Sequence, residues 1–177
     1  MATVASSLGP APDAAWATDG YVVVPGAVDR AACAALVERA GHTSAEHRDP
    51  TVDRLGADLV TGLAGASVAA AGGRLVVTMP GAAGRPWGRQ PEGSVALHLA
   101  LSPATLAGGC PWIVPGSHRA APAGRGAAPP PVAGAVPVQL DVGDLVLVDA
   151  GVVHRVTDNH SVDAAAALMV VFHRRRG

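Results

Sequence analysis

Residues 94–119 read SVALHLALSPATLAGGCPWIVPGSHR, and this stretch decides the fold class. The run SVALHLALS alternates so that Ala96, His98 and Ala100 fall on one face of a strand, and Val95, Leu97, Leu99 and Leu101 on the other. The Val/Leu set is a packing face. The other set, two small residues around a histidine, has the composition of a pocket wall. Pro103, Gly108 and Gly109 then cut the chain before a second short apolar run, WIVPG at 112–116.

Outward from this stretch the same texture recurs. LVVTM at 75–79, VQLDV at 138–142, DLVLVD at 144–149, VVHRV at 152–156 and ALMVVFH at 167–173 are short apolar runs separated by turn residues. Such spacing predicts an antiparallel barrel or jelly roll rather than alternating βαβ units. The Pro-, Ala- and Gly-rich segment 120–137 cannot be a central strand and is expected to be an irregular loop over one barrel mouth.

Upstream, Asp19-Gly20 turns into the strand-like YVVVPG, and Asp29 is placed to cap a helix whose apolar face holds Ala32, Leu36 and Val37 and which ends at Gly41. Residues 42–54 lack an apolar period and are expected to be a loop or a solvated helix end. A second helix is predicted from Leu55 to about Ala71, closed by Gly72-Gly73. Residues 1–14 are small and Pro-punctuated, which predicts a flexible arm, and the size prior makes 15–177 a single domain.

Composition excludes several classes. The hydrophobic fraction is 49% and the charged fraction 15%, yet no apolar run approaches the roughly twenty residues a membrane span needs. A net charge of -1 supplies no field for nucleic acid, and the only basic run is Arg174 to Arg176. The first residues lack the charged and apolar regions of a signal peptide, so a cytoplasmic location is expected. Cys33 and Cys110 are too few for a disulfide framework and lack zinc spacing. The chain has no Lys, which excludes lysine Schiff bases, pyridoxal phosphate attachment and a Walker A loop.

Three segments together resemble the phytanoyl-CoA dioxygenase family: DGYVVVPGAVDRAACAALVERA (19–40), LALSPATLAGGCPWIVPGSHR (99–119) and GDLVLVDAGVVHRVTDN (143–159). The resemblance covers about residues 19–173 and implies a mainly β double-stranded β-helix, jelly-roll and cupin-like, with N-terminal helices packed on one sheet. Active members hold Fe(II) with a His-x-Asp pair and a distal His, leaving positions open for oxygen and 2-oxoglutarate. His154 matches the distal His. In the segment matching the His-x-Asp pair, Gly88 stands in place of His and Gln90 in place of Asp. The arginine that pairs with 2-oxoglutarate is replaced by Ala165. Two of three iron ligands and the cosubstrate clamp are missing.

In the family, the position matching His98 faces the cosubstrate pocket, and strand parity puts His154 on a face with Val152 and Val156. Two histidines are therefore expected to meet inside one barrel, where burial suits them to proton transfer near neutral pH. Asp149 could orient a histidine or act as a base, although Asp at a strand end more often caps a turn. Trp87, Arg89, Gln90 and Glu92 occupy the segment of the lost metal motif and are expected near the mouth, in contact with substrate, with Arg89 suited to an anionic group. Met79 and Trp112 are further expected substrate contacts. His118 belongs to the PGSHR turn, and His42, His47, His160 and His173 are expected at the surface.

These residues favour an enzyme without a metal or other cofactor, isomerising, cyclising or otherwise rearranging a small, largely apolar molecule. The Ala- and Arg-rich, Lys-free composition suggests bacterial natural-product biosynthesis. One alternative keeps Fe(II) and 2-oxoglutarate, with His98, His154 and Asp149 or Glu92 as rearranged ligands. Another is a non-catalytic small-molecule-binding protein. No nucleic-acid or membrane partner is expected; edge strands leave a homodimer possible.

Overall fold

A computed structural model describes residues 10–40, 45–46, 49–65, 67–120 and 132–174. The elements in chain order are α1 (Pro10–Asp19), β1 (Tyr21–Val24), α2 (Arg30–Ala40), β2 (Ala45–Glu46), α3 (Pro50–Ala64), β3 (Val68–Thr78), β4 (Ser94–Ala100), β5 (Pro111–Ile113), a 3-10 turn at Ser117–Arg119, β6 (Val136–Pro137), β7 (Leu145–Asp149), β8 (His154–Val156) and β9 (Ala165–Arg174). Six strands form one sheet in the order β1-β7-β4-β9-β3-β2, and three form a second in the order β6-β5-β8. The pairings within both sheets are antiparallel, and the sheets face each other as a double-stranded β-helix.

The alternation of β4 divides the molecule into two cores. Val95, Leu97 and Leu99 join Leu145, Leu147, Leu168, Val170 and Phe172 against the helices. Ala96 and Ala100 join Ile113, Val146, Val148 and Val152 between the sheets. β4 pairs with β7 on one side and β9 on the other, so both of its faces are buried.

α3 supplies much of the helical layer. Asp49 caps its first turn by accepting from the amides of Thr51 and Val52, Pro50 occupies the first turn, and Val52, Leu55, Leu59 and Val60 are buried. Gly56 lets the helix approach the sheet closely, because a side chain there would collide with the Phe172 ring and Leu97. Asp29 caps α2 through the Ala32 amide, as its position predicts, whereas the expected end at Gly41 lies outside the described residues.

Four expectations need correction. The arm predicted over 1–14 is already helical from Pro10; α1 has only a weak apolar stripe and is held by Trp16, while 1–9 are outside the described residues. The second helix runs over Pro50–Ala64 instead of Leu55 to Ala71, because Gly65 ends it in the left-handed conformation at φ 63. Gly72 and Gly73 are strand residues paired with Val171 and Val170, beside a register shift in β3. VQLDV forms only an isolated bridge, Ala104 to Leu140. Most of the expected loop at 120–137 lies outside the described residues, and Pro137 sits in the edge strand β6, where its missing N–H is tolerated.

Asn159 locks the turn between β8 and β9. It is fully buried, donates to the carbonyls of Thr78 (2.9 Å) and Asp163 (2.8 Å), and accepts from the amide (2.9 Å) and hydroxyl (2.6 Å) of Ser161. Asn159→Ala strands several of these partners and is expected to lower the unfolding free energy by about 2 kcal/mol, measured by urea denaturation.

Candidate active site

β4 and β8 bring the two buried histidines together. His98 and His154 lie with ring centroids 6.1 Å apart and planes at 86°. His98 is only 3% exposed, flanked by Val146 and Met169 on the neighbouring strands, and its Nε2 is buried without a hydrogen-bond partner. Burial, reinforced by the like charges of His154 and Arg85, pushes its pKa down to about 3. The ring is therefore neutral at physiological pH.

His154 is held in a defined state. Its Nδ1 lies 2.9 Å from the Val152 carbonyl, which can only accept, so Nδ1 carries the proton and Nε2 the lone pair. That Nε2 lies 3.5 Å from the side-chain amide nitrogen of Gln90. Burial lowers the His154 pKa, partly opposed by the bond to Val152. The backbone of Gly88 exchanges two 3.0 Å hydrogen bonds with that of His154, and a side chain at 88 would enter open space.

Positions 88 and 90 thus lie against His154, but their chemistry does not fit iron. Glycine offers no ligand atom, the Gln90 amide is neutral, and no group of three His, Cys, Asp or Glu among the described residues could hold a metal ion. A chamber of about 90 Å³ at this point is bordered by Arg85, Arg89 and Arg155 and by no carboxylate. That lining opposes a divalent cation.

The chamber shares Arg85, His98, Val156 and Met169 with a larger cavity of about 210 Å³ between the sheets. The cavity wall is small and apolar, with Ala100, Ala165 and Ala167 among its residues and Thr78, Ser102, Arg85 and His98 as its polar points. Ala165, standing where the cosubstrate arginine belongs, forms part of this wall and supplies no charge.

Other candidates fall elsewhere. Asp149 accepts from the Gly151 amide at 2.9 Å and, with Glu92 and His118, lines an open cleft that adjoins the chamber at Gly88, Arg89 and Gln90. It caps a turn, and no hydrogen bond joins it to His154, whose Nδ1 is committed to Val152. Arg89 borders both this cleft and the chamber and reaches the Ala120 carbonyl at 3.4 Å. Trp87 lies beneath Arg155, whose guanidinium carbon is 5.3 Å from the ring centroid. Trp112 pairs with Arg155, on the strand face opposite Ile113 and His154, and therefore points away from the cavity. Met79 is 57% exposed just beyond β3 and does not line the cavity. His118 is wedged against Gly20 and Gly151 in the turn; His160 and His173 are exposed, and His42 and His47 lie outside the described residues.

Arg85 is the residue that sequence reading missed. It lies in the loop that replaces the metal motif, and only the pairing of its amide with the Val156 carbonyl at 2.8 Å brings it beside β8 and the cavity.

Comparison with known proteins agrees with this fold. A family model described as phytanoyl-CoA dioxygenase (PhyH) matches residues 78–167. Among solved structures, the non-heme alpha ketoglutarate dependent epimerase SnoN from nogalamycin biosynthesis is similar with a TM-score of 0.82 and 20% identity, over 93% of this chain and 82% of that one. The non-heme alpha ketoglutarate dependent carbocyclase SnoK from the same biosynthesis gives 0.78 and 21%, over 97% and 86%. EvdO2 from Micromonospora carbonacea var. aurantiaca gives 0.81 and 14%, over 98% and 94%. These likenesses are of fold. No curated protein sequence matches the chain. No helix among the described residues is long and apolar enough to cross a membrane.

Proposed function

We propose that this chain, which belongs to the phytanoyl-CoA dioxygenase family, is a metal-independent enzyme that isomerises, cyclises or similarly rearranges a small, largely apolar molecule. The observation that carries the reading is that Gly88 and Gln90, which match two of the family's iron ligands, both lie against His154, and neither offers an imidazole or carboxylate. The similarity to two proteins of nogalamycin biosynthesis supports a place in natural-product chemistry; a cytoplasmic location is part of the same proposal.

The polar groups are few and placed for proton transfer. His154 presents the Nε2 lone pair of a fixed tautomer, which can take a proton from a substrate carbon or hydroxyl. His98 adds a second neutral imidazole, its ring centroid 6.1 Å from that of His154. A proton taken by His154 Nε2 at one position and returned at another converts one isomer into another with no net change in protons or electrons. The largely apolar cavity beside the two histidines holds the reacting conformer.

The test is anaerobic titration of chelator-treated protein with Fe(II), with and without 2-oxoglutarate, followed by calorimetry. No stoichiometric binding is expected, and excess EDTA should leave the melting temperature unchanged. One tightly bound iron per chain sinks the reading.

A further inference from the structure

We infer that Arg85 is the anion-recognising residue of this pocket and that its ligand is a ring-sized organic carboxylate, the apolar body filling the cavity and the carboxylate meeting the guanidinium. The inference deepens the metal-independent reading and rests on it. The space an iron ion would use is a chamber bordered by three arginines and two histidines, with no acidic residue to balance them.

The three arginines are not equivalent. Arg155 lies over the Trp87 ring, and Arg89 reaches the Ala120 carbonyl. The Arg85 side chain makes no hydrogen bond or ion pair among the described residues; only its backbone amide is engaged. It is also the one of the three that borders both the chamber and the larger cavity. A free guanidinium at the edge of an apolar, Ala-lined space is matched by a carboxylate, whose two oxygens its planar fork can engage together.

The second polar point is His98. It borders both the cavity and the chamber, and its Nε2 is buried without a partner. Size sets the body. A cavity of about 150 Å³ accepts a benzene ring, and the volume here is about 210 Å³, enough for one ring with a small substituent. The ligand class is thus a single-ring carboxylate.

The experiment compares benzoate with its neutral isostere benzamide on metal-free protein in EDTA, by ligand-observed NMR, in wild type and Arg85→Gln. The wild type is expected to bind benzoate about ten-fold more tightly than benzamide, and Arg85→Gln to abolish that preference. The variant should melt within about 2 °C of wild type, since Arg85 is exposed and unpaired. No binding of benzoate by wild type, equal affinity for the two probes, or an unchanged preference in the variant overturns the inference. Stoichiometric iron in the earlier titration with the benzoate preference intact sinks metal independence alone. No iron and no preference sinks the Arg85 assignment alone.

Discussion

Lowering the pH from 6.5 to 4.5 is expected to remove about 2–2.5 kcal/mol of unfolding free energy through His98 alone. The sign follows from the depressed pKa, about 3 in the folded protein against an ordinary 6.5. Below 6.5 the unfolded chain takes up a proton that the folded chain refuses, so stability is present above that pH. It declines by about 1.4 kcal/mol per unit as pH falls, until the folded-state pKa is reached. His154 is shifted in the same direction and adds to the slope. Buried in its strand, His98 faces two groups that disfavour its protonation, His154 and Arg85. Urea midpoints at pH 7 and pH 4.5 should fall steeply in wild type and much less in His98→Leu. The variant should also be more stable than wild type at pH 4.5, since it removes an unpartnered polar atom. Equal pH slopes in the two proteins would show that His98 is solvated or paired in solution.

Phe172→Ala is expected to destabilise the fold by about 3–5 kcal/mol, the largest effect of any single substitution considered. Phe172 is fully buried on β9, paired across the sheet with Ala70 and Val95 and packed beneath Gly56 of α3. Removing the ring opens a void at the point where α3 approaches the sheet most closely, and Gly56 has no side chain to refill it. Chemical denaturation should show a lower midpoint with a similar slope. Gly56→Ala combined with Phe172→Ala should recover part of the loss, because the added methyl would enter the void instead of the ring. No recovery in the double variant would mean that α3 collapses onto the sheet by itself.

The parts of this molecule that could be read from the chain are those governed by a strict period. Alternation along SVALHLALS placed His98 on the inner face with the two alanines, and the same parity placed His154 beside Val152, because a strand between two cores leaves its side chains no choice of face. Glycine was less informative, since it ends helices and also accompanies register shifts in strands. The helix end was therefore placed at the Gly72-Gly73 pair, whereas Gly65 ends the helix and the pair lies in a strand. α1 escaped notice because a helix anchored mainly by Trp16 has little apolar period to display. Trp112 was counted as a pocket residue from its type, whereas its partner Arg155 fixes it to the outer face. Arg85 could not be found at all, because its relation to His98 comes from a loop crossing to β8, and no spacing along the chain encodes it.

The two-faced character of β4 separates durability from selectivity. The leucines and valines on its helix side hold the sheet together, while Ala100, Ala165 and Ala167 around the cavity contribute little bulk and leave room. Enlarging one of those alanines would reshape the space offered to a ligand while leaving the helix-side packing untouched. A scaffold arranged in this way can shed one chemistry and acquire another by changes on its hollow side, while its fastening to the helices stays as it was.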